Sequence, residues 1–203
     1  MSKISFVYFD VGGIFFDWSN VFTSIAKEFD VTQDQIFAVF DKYDAQITQG
    51  KLTALEFWNI VRLELNIERG KDFDFLSHWV SDFIPIKENY QLVNSLVGKC
   101  KIGIISNIYL GMFPLLIKKN IVPNITYDSL ILSCDVHLQK PDLSIYQLAQ
   151  LRANVLPDEI LFIDDSEKYL SIPKKLGWQT YLYDTKGYVN SSQKLDKYLK
   201  SKT

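Results

Sequence analysis

Lys3-Ile4-Ser5-Phe6-Val7-Tyr8-Phe9-Asp10-Val11-Gly12-Gly13 is a short apolar run that ends in a carboxylate and two glycines. A second run, Glu159-Ile160-Leu161-Phe162-Ile163-Asp164-Asp165-Ser166, ends in two carboxylates and a hydroxyl. Runs this short, near-continuously apolar and rich in Ile, Val, Tyr and Phe read as strands with both faces covered. In an open parallel sheet, ligands bind beyond the carboxyl ends of the strands. Asp10 from one run and Asp164 and Asp165 from the other are therefore aimed at one crevice. Three converging carboxylates repel one another unless a cation joins them, and a hard divalent ion with oxygen ligands is the usual solution.

Further strands are expected over 101–106, 129–134 and 180–183. Amphipathic helical patterns occupy 88–98, 111–119, 143–152 and 167–176. This alternation predicts an α/β fold, a doubly wound, Rossmann-like core around a parallel sheet. The interval 20–85 differs, reading as consecutive helices without a convincing strand. Thr32-Gln33-Asp34-Gln35 and Thr53-Ala54-Leu55-Glu56 fit the capping box that opens a helix, and Gln49-Gly50-Lys51 breaks the pattern between them. The expected division is a core of 1–18 and 86–203 with a small all-helical cap, 19–85, inserted after the first strand as a lid over the crevice. The polar, lysine-rich tail after Tyr188 is expected to form a short surface helix.

At 203 residues, 47% hydrophobic and 14% aromatic, the chain can bury one domain plus a modest insertion, and its composition is not that of a disordered protein. A formal net charge of −2 gives no global attraction to nucleic acid or anionic membrane. No run approaches the ~18 consecutive apolar residues of a membrane span, and no leader pattern opens the chain. A cytoplasmic protein is expected, with neither nucleic-acid nor membrane partners, and the oligomeric state is left open. Cys100 and Cys134 read as reduced core thiols. Arginine is confined to Arg62, Arg69 and Arg152, so an anion site would rely on lysine.

Two more segments carry chemistry. The run Ile102-Gly103-Ile104-Ile105-Ser106-Asn107 ends in a hydroxyl and an amide that can both donate to a phosphate oxygen. In Lys140-Pro141, a proline at a helix start holds the preceding lysine extended. Tyr43, Asp44 and Gln49 fall where a cap loop would face substrate. His78, beside Trp79 in an apolar stretch, reads as structural. His137 lies near the crevice and is the lesser candidate for a substrate contact.

These pieces, in this order and each at a strand end, resemble the haloacid dehalogenase superfamily of aspartyl-phosphate-forming hydrolases. Phe9-Asp10-Val11-Gly12-Gly13-Ile14 resembles its first motif, Ser106-Asn107 its second, Lys140-Pro141 its third and Ile163-Asp164-Asp165-Ser166 its fourth. The run from Asp135 to Tyr146 is similar to that of the family's sugar-phosphate phosphatases. The resemblance implies a Mg²⁺-dependent phosphatase for a small phosphorylated metabolite, a sugar phosphate among the options. It implies Asp10 as nucleophile and Lys140 as the catalytic cation. Ser106, Asn107 and Gly13 would bind the substrate, and the metal would sit on Asp10, Gly12, Asp164 and Asp165.

The chain departs from the pattern at Gly12, where such phosphatases carry a second aspartate as general acid, at Gly13, and at Tyr169, which is not counted as a site residue. Two alternatives stand beside the phosphatase. A metal-independent 2-haloacid dehalogenase would need an arginine soon after the first motif, and none precedes Arg62. A non-catalytic phosphate-binding module would have no need for the retained Asp10, Lys140 and acidic pair.

Overall fold

The computed structural model describes residues 3–202. The first strand, β1 (Phe6–Phe9), is buried over its whole length. A two-residue strand β2 (Phe16–Asp17) leads into four helices, α1 (Thr23–Phe29), α2 (Gln33–Thr48), α3 (Ala54–Glu64) and α4 (Phe75–Ser81). The chain returns through β3 (Ile84–Pro85), which pairs antiparallel with β2. There follow α5 (Lys87–Leu96), β4 (Lys101–Ser106), α6 (Met112–Lys118), β5 (Ser129–Leu132), α7 (Ser133–Val136) and α8 (Leu143–Ala153). The chain closes with β6 (Ile160–Asp164), α9 (Glu167–Lys175), β7 (Gln179–Leu182) and α10 (Tyr188–Lys200).

The five long strands form one parallel sheet in the order β5-β4-β1-β6-β7. Successive side chains of a strand point to opposite faces. Phe6 and Tyr8 accordingly pack in one apolar cluster with Ile145, Tyr146 and Ala149 of α8 and Leu170 of α9. Val7 and Phe9 pack in the other, with helices α5, α6 and α10 and with the helical insertion. Both faces are covered, which is why the strands read as unbroken apolar runs. The expected doubly wound α/β core is the observed one.

The insertion is helical as expected, and Thr32 and Thr53 each close a reciprocal capping box, with Gln35 and Glu56 respectively. Its base differs from the expectation of no strand, because the β2–β3 ribbon brackets it. Phe16 and Phe83 stack there with centroids 4.1 Å apart and planes within 3°. A two-residue ribbon carries too little period-2 pattern to be read from sequence.

Two other expectations change. The strand expected over 129–134 ends at Leu132, where the chain turns into α7. The tail helix is not merely superficial: Ser191, Ser192, Leu195 and Leu199 are buried where α10 packs beside α5. Among the described residues no helix is long and apolar enough to cross a membrane, and both cysteines are free thiols.

Leu195 is fully buried, so Leu195→Ala should destabilise the protein by about 2–5 kcal/mol through lost burial and the cavity left behind. Urea unfolding measures this; an unchanged midpoint would show that α10 lies outside the cooperative core.

Candidate active site

β1 lies between β4 and β6, so the residues ending these three strands become neighbours. The Asp10 amide donates to the Ile163 carbonyl at 2.9 Å, continuing the ladder one residue past β1 and setting the direction of its carboxylate. Ser106 ends β4 and Asp164 ends β6, and both are buried. Lys140 enters from the segment before α8. Its Nζ lies 2.9 Å from Asp10 Oδ1 and 2.6 Å from Asp164 Oδ2, with only 1% of the side chain exposed. The Tyr169 ring sits 4.6 Å from the same nitrogen.

The backbone of Lys140 is itself clamped. Its N–H donates to Asn107 Oδ1 at 2.8 Å, and Asn107 Nδ2 donates back to its carbonyl at 3.0 Å. Asn107, expected to hold substrate, lies on the cavity wall with its amide engaged in positioning the lysine. The Lys140–Pro141 peptide is cis, and α8 begins only at Leu143. The proline therefore stands ahead of the helix rather than at its first position, as the sequence reading had it.

Oxygen atoms of Asp10, Asp164 and Asp165 all lie within 4.8 Å of one another. Three carboxyls face one ammonium, and every donor is a hard oxygen, a set that suits a divalent cation. Burial alone would pull the Lys140 ammonium down, but the charges of Asp10 and Asp164 outweigh it and hold it above the usual lysine range. Burial pushes Asp164 up to about 7 against the pull of Lys140, and Asp165 up to about 6, with the charge of Asp10 adding to both. The site thus carries more negative charge than its lysine neutralises. Asp164 has both oxygens engaged, one with Lys140 and one accepting the Ser166 N–H at 2.8 Å. Half-buried Asp165 lines the cavity, as does Asp10. Those two carboxylates, with Gly12 beside them, are the groups of this cluster that open onto the cavity.

The paired glycines do different work. Gly13 has φ +69°, and a methyl group there would overlap the Asp165 carboxylate, so it is the residue that lets this acid approach. Its N–H donates to the Phe16 carbonyl at 3.0 Å, and Gly13 does not line the main cavity, so the structure does not bring this expected substrate contact to it. The loop is closed by that bond and by Phe15 N–H to the Val11 carbonyl at 2.9 Å. Gly12 lines the cavity, and a Cβ added there meets no atom within 4 Å.

The cavity, about 250 Å³, lies between the strand ends and the insertion. Asp10, Ser106, Asn107, Lys140 and Asp165 form its polar end. Phe16, Trp18, Phe40, Trp79 and Phe83, from the insertion and its base, also line it, with Tyr109 and Met112 from the core. Asp44 lies among them, as expected of a cap residue facing substrate. Its Oδ1 accepts from the Tyr109 hydroxyl at 3.2 Å. Burial holds it above the usual carboxyl range against that bond, with the charge of Asp41 adding to the rise.

Tyr43 instead donates to Glu64 at 2.9 Å, and Gln49 accepts through its carbonyl from His137 Nδ1 at 2.8 Å. His137 is thus a tether between core and insertion and does not line the cavity. A second tether is Ser133 Oγ, which donates to the Thr48 carbonyl at 2.5 Å and accepts from the Ile108 N–H at 2.9 Å. His78 Nδ1 donates to the Asp74 carbonyl of its own helix start at 3.0 Å, away from the site. Tyr169, noted in the sequence but not counted as a site residue, lines the cavity; the aromatic lining carries no signal of its own in the sequence, because aromatic residues in apolar stretches look the same as core.

No protein-family model matches the chain, and no curated protein matches it. Solved structures do. A HAD family enzyme of Bacteroides thetaiotaomicron, in complex with magnesium and inorganic phosphate, superposes with a TM-score of 0.73. It is 21% identical over 91% of this chain and 96% of its own. A predicted HAD-like family hydrolase of Porphyromonas gingivalis matches with a TM-score of 0.67 and 19% identity, over 96% of this chain and 98% of its own. The L-2-haloacid dehalogenase of Xanthobacter autotrophicus with covalently bound chloropropionic acid matches at 0.62 and 21%, over 87% and 76%. The fold of this chain is that of the haloacid dehalogenase-like enzymes, as the four motifs led one to expect.

A metal held by these acids would require Asp165 ionised, and burial pushes its carboxyl up to about 6. Millimolar Mg²⁺ should therefore raise the melting temperature at pH 8 and do so far less at pH 5. Asp165→Ala should abolish most of the rise. An equal shift at both pH values, or none at pH 8, would contradict a metal site on these acids.

Proposed function

We propose that this protein is a Mg²⁺-dependent phosphatase that hydrolyses a small phosphorylated metabolite through an aspartyl-phosphate on Asp10. In this reading the helices within 19–85 act as a cap on a core of 1–18 and 86–203. The observation that carries the proposal is the group Asp10, Lys140, Asp164 and Asp165, gathered at neighbouring strand ends with more carboxyls than its one ammonium balances. Phosphoryl transfer asks mainly for positioning and charge neutralisation, and a carboxylate nucleophile divides the hydrolysis into two easier steps.

Asp10 and Asp165 would hold the metal with the Gly12 carbonyl, while Asp164 would act chiefly through Lys140. When bound, the ion supplies positive charge for the phosphoryl oxygens. An Asp10 oxygen attacks phosphorus as the bond to the leaving oxygen breaks. Lys140 steadies Asp10 and the group in transit, and Ser106 offers its hydroxyl to a phosphoryl oxygen. Water then attacks the aspartyl-phosphate, releasing phosphate and restoring the Asp10 carboxylate.

A 2-haloacid dehalogenase fits less well. Such a substrate brings a carboxylate and releases a halide, and the cavity's one cation is already paired with two acids. Arg62, Arg69 and Arg152 donate to backbone carbonyls elsewhere, at Arg69, Glu28 and Leu130 among others, and none lines the cavity.

Asp10→Asn keeps the shape and removes the nucleophilic charge. Phosphate release from a broad set of phosphomonoesters should fall to background while circular dichroism stays native. Activity equal to wild type would place the nucleophile elsewhere. Gly12→Asp, for which the site has room, should raise kcat/KM on alkyl phosphates more than on aryl phosphates by supplying a proton to the departing oxygen. General acid help is typically worth ~10²–10⁴-fold. Equal or lower activity on both classes in the folded variant would show that the absent acid is not limiting.

A further inference from the structure

Two features of the cavity, independent of each other, concern the part of the substrate that departs. The first is the wall facing that part. Trp18, Phe40, Trp79 and Phe83 come from the insertion and its base, and Tyr109 and Met112 complete the surface from the core. The polar side chains on this side are Asp41, Asp44 and Thr48, and no lysine or arginine joins them. The Thr48 hydroxyl is spent on the Asp44 carbonyl at 2.7 Å. A sugar would present many hydroxyls here, more than the two carboxylates of Asp41 and Asp44 can accept from, and each hydroxyl left unpaired on burial is costly. An aromatic ring meets what it prefers, offset and edge-on rings at 4.5–7 Å. Trp79 and Tyr109 already show that spacing, at 4.6 Å.

The second feature is chemical. Gly12 carries no side chain that could hand a proton to the leaving oxygen, and the space beside it is open. Without that help the departing oxygen must carry the negative charge itself. A phenol does so readily, with a pKa of roughly 10, whereas an alkoxide is a far stronger base, comparable with hydroxide from water at about 15.7. An oxygen attached to an aromatic ring answers both features at once.

We infer that the substrate is an aryl phosphate, a phosphomonoester whose oxygen is borne by an aromatic ring that packs on the Trp18, Phe40, Trp79 and Phe83 wall. The inference rests on the phosphatase reading and narrows it. The similarity of 135–146 to sugar-phosphate phosphatases concerns Lys140 and its supports, the phosphoryl end, and does not bear on this wall. Asp41 and Asp44 further disfavour a second anionic group on the ring. In the reaction, Asp10 displaces the phenoxide, which leaves with the bonding electron pair and takes its proton from solvent. Water then hydrolyses the acyl phosphate to Asp10 carboxylate and inorganic phosphate.

The test separates binding from turnover. With Mg²⁺ present, calorimetry on the turnover-deficient Asp10→Asn protein should show 2-naphthyl phosphate binding at least tenfold more tightly than glucose 6-phosphate. A carboxylate added opposite the phosphate of phenyl phosphate should weaken binding. Trp18 is 45% exposed, so Trp18→Ala should leave the fold intact. It should erode the naphthyl preference while inorganic phosphate binds as before. On the wild-type enzyme, kcat/KM across substituted phenyl phosphates should fall steeply as the phenol pKa rises. Equal or tighter binding of glucose 6-phosphate, no binding of 2-naphthyl phosphate, or a flat leaving-group dependence would overturn the inference. Turnover of no phosphomonoester would overturn the phosphatase reading instead, and the binding preference would still decide whether the wall takes an aromatic ring.

Discussion

The contact on which the site depends is a buried ammonium shared by two carboxylates. Lys140 lies 2.9 Å from Asp10 and 2.6 Å from Asp164, with almost none of its side chain in water. Neither Asp10 nor Asp164 could sit at adjacent strand ends without it, because like charges in a poorly solvated place repel strongly. Burying the lysine is itself costly, and a buried pair repays that cost only with good geometry and additional hydrogen bonds. The surroundings supply both. Asn107 grips the Lys140 backbone at two points, and the Ser166 amide takes the remaining oxygen of Asp164. What remains uncompensated is Asp165, and that residual negative charge is of the kind a divalent cation balances.

Position of the insertion follows from a second, smaller set of contacts. Thr48 and Gln49, at the end of α2, are held by Ser133 and His137 from the turn after β5. His137 adopts a left-handed backbone conformation at the end of α7, with φ 56°. Phe16 and Phe83 stack across the ribbon where the insertion leaves and rejoins the core. Together these hold an aromatic wall over the strand ends, so the cavity has a charged end fastened by hydrogen bonds and an apolar end made by packing.

The neighbouring folds with bound phosphate and with a bound haloacid share this architecture, which shows how little the fold by itself says about the reaction. What separates the readings is local. The presence of Asp165 in the cavity, the absence of any arginine from its lining and the open space at Gly12 bear on the chemistry more than the topology does.

Much of this was legible in the residues. The apolar runs ending in Asp10 and Asp164, the alternation of strand and helix, and the two capping boxes of the insertion are local patterns, and local patterns survive folding because periodicity and propensity act over a few residues. The ribbon of two-residue strands was not legible, nor was the turn that ends β5 at Leu132, since a few residues carry too little pattern. The burial of α10 is a packing fact, visible only once α5 is beside it. Asn107 illustrates the same limit at the site: its type suggested a phosphate ligand, but a carboxamide binds whatever is nearest, and folding brings the Lys140 backbone to it. The sequence by itself determined the reactive groups, their places at strand ends and the excess of negative charge. Only the tertiary structure decided which acid Lys140 neutralises, that Gly13 makes room for Asp165 while Gly12 stands open, and that scattered aromatic residues form one wall of the cavity. Those depend on contacts between residues as far apart in sequence as Gly13 and Asp165, which no local pattern encodes.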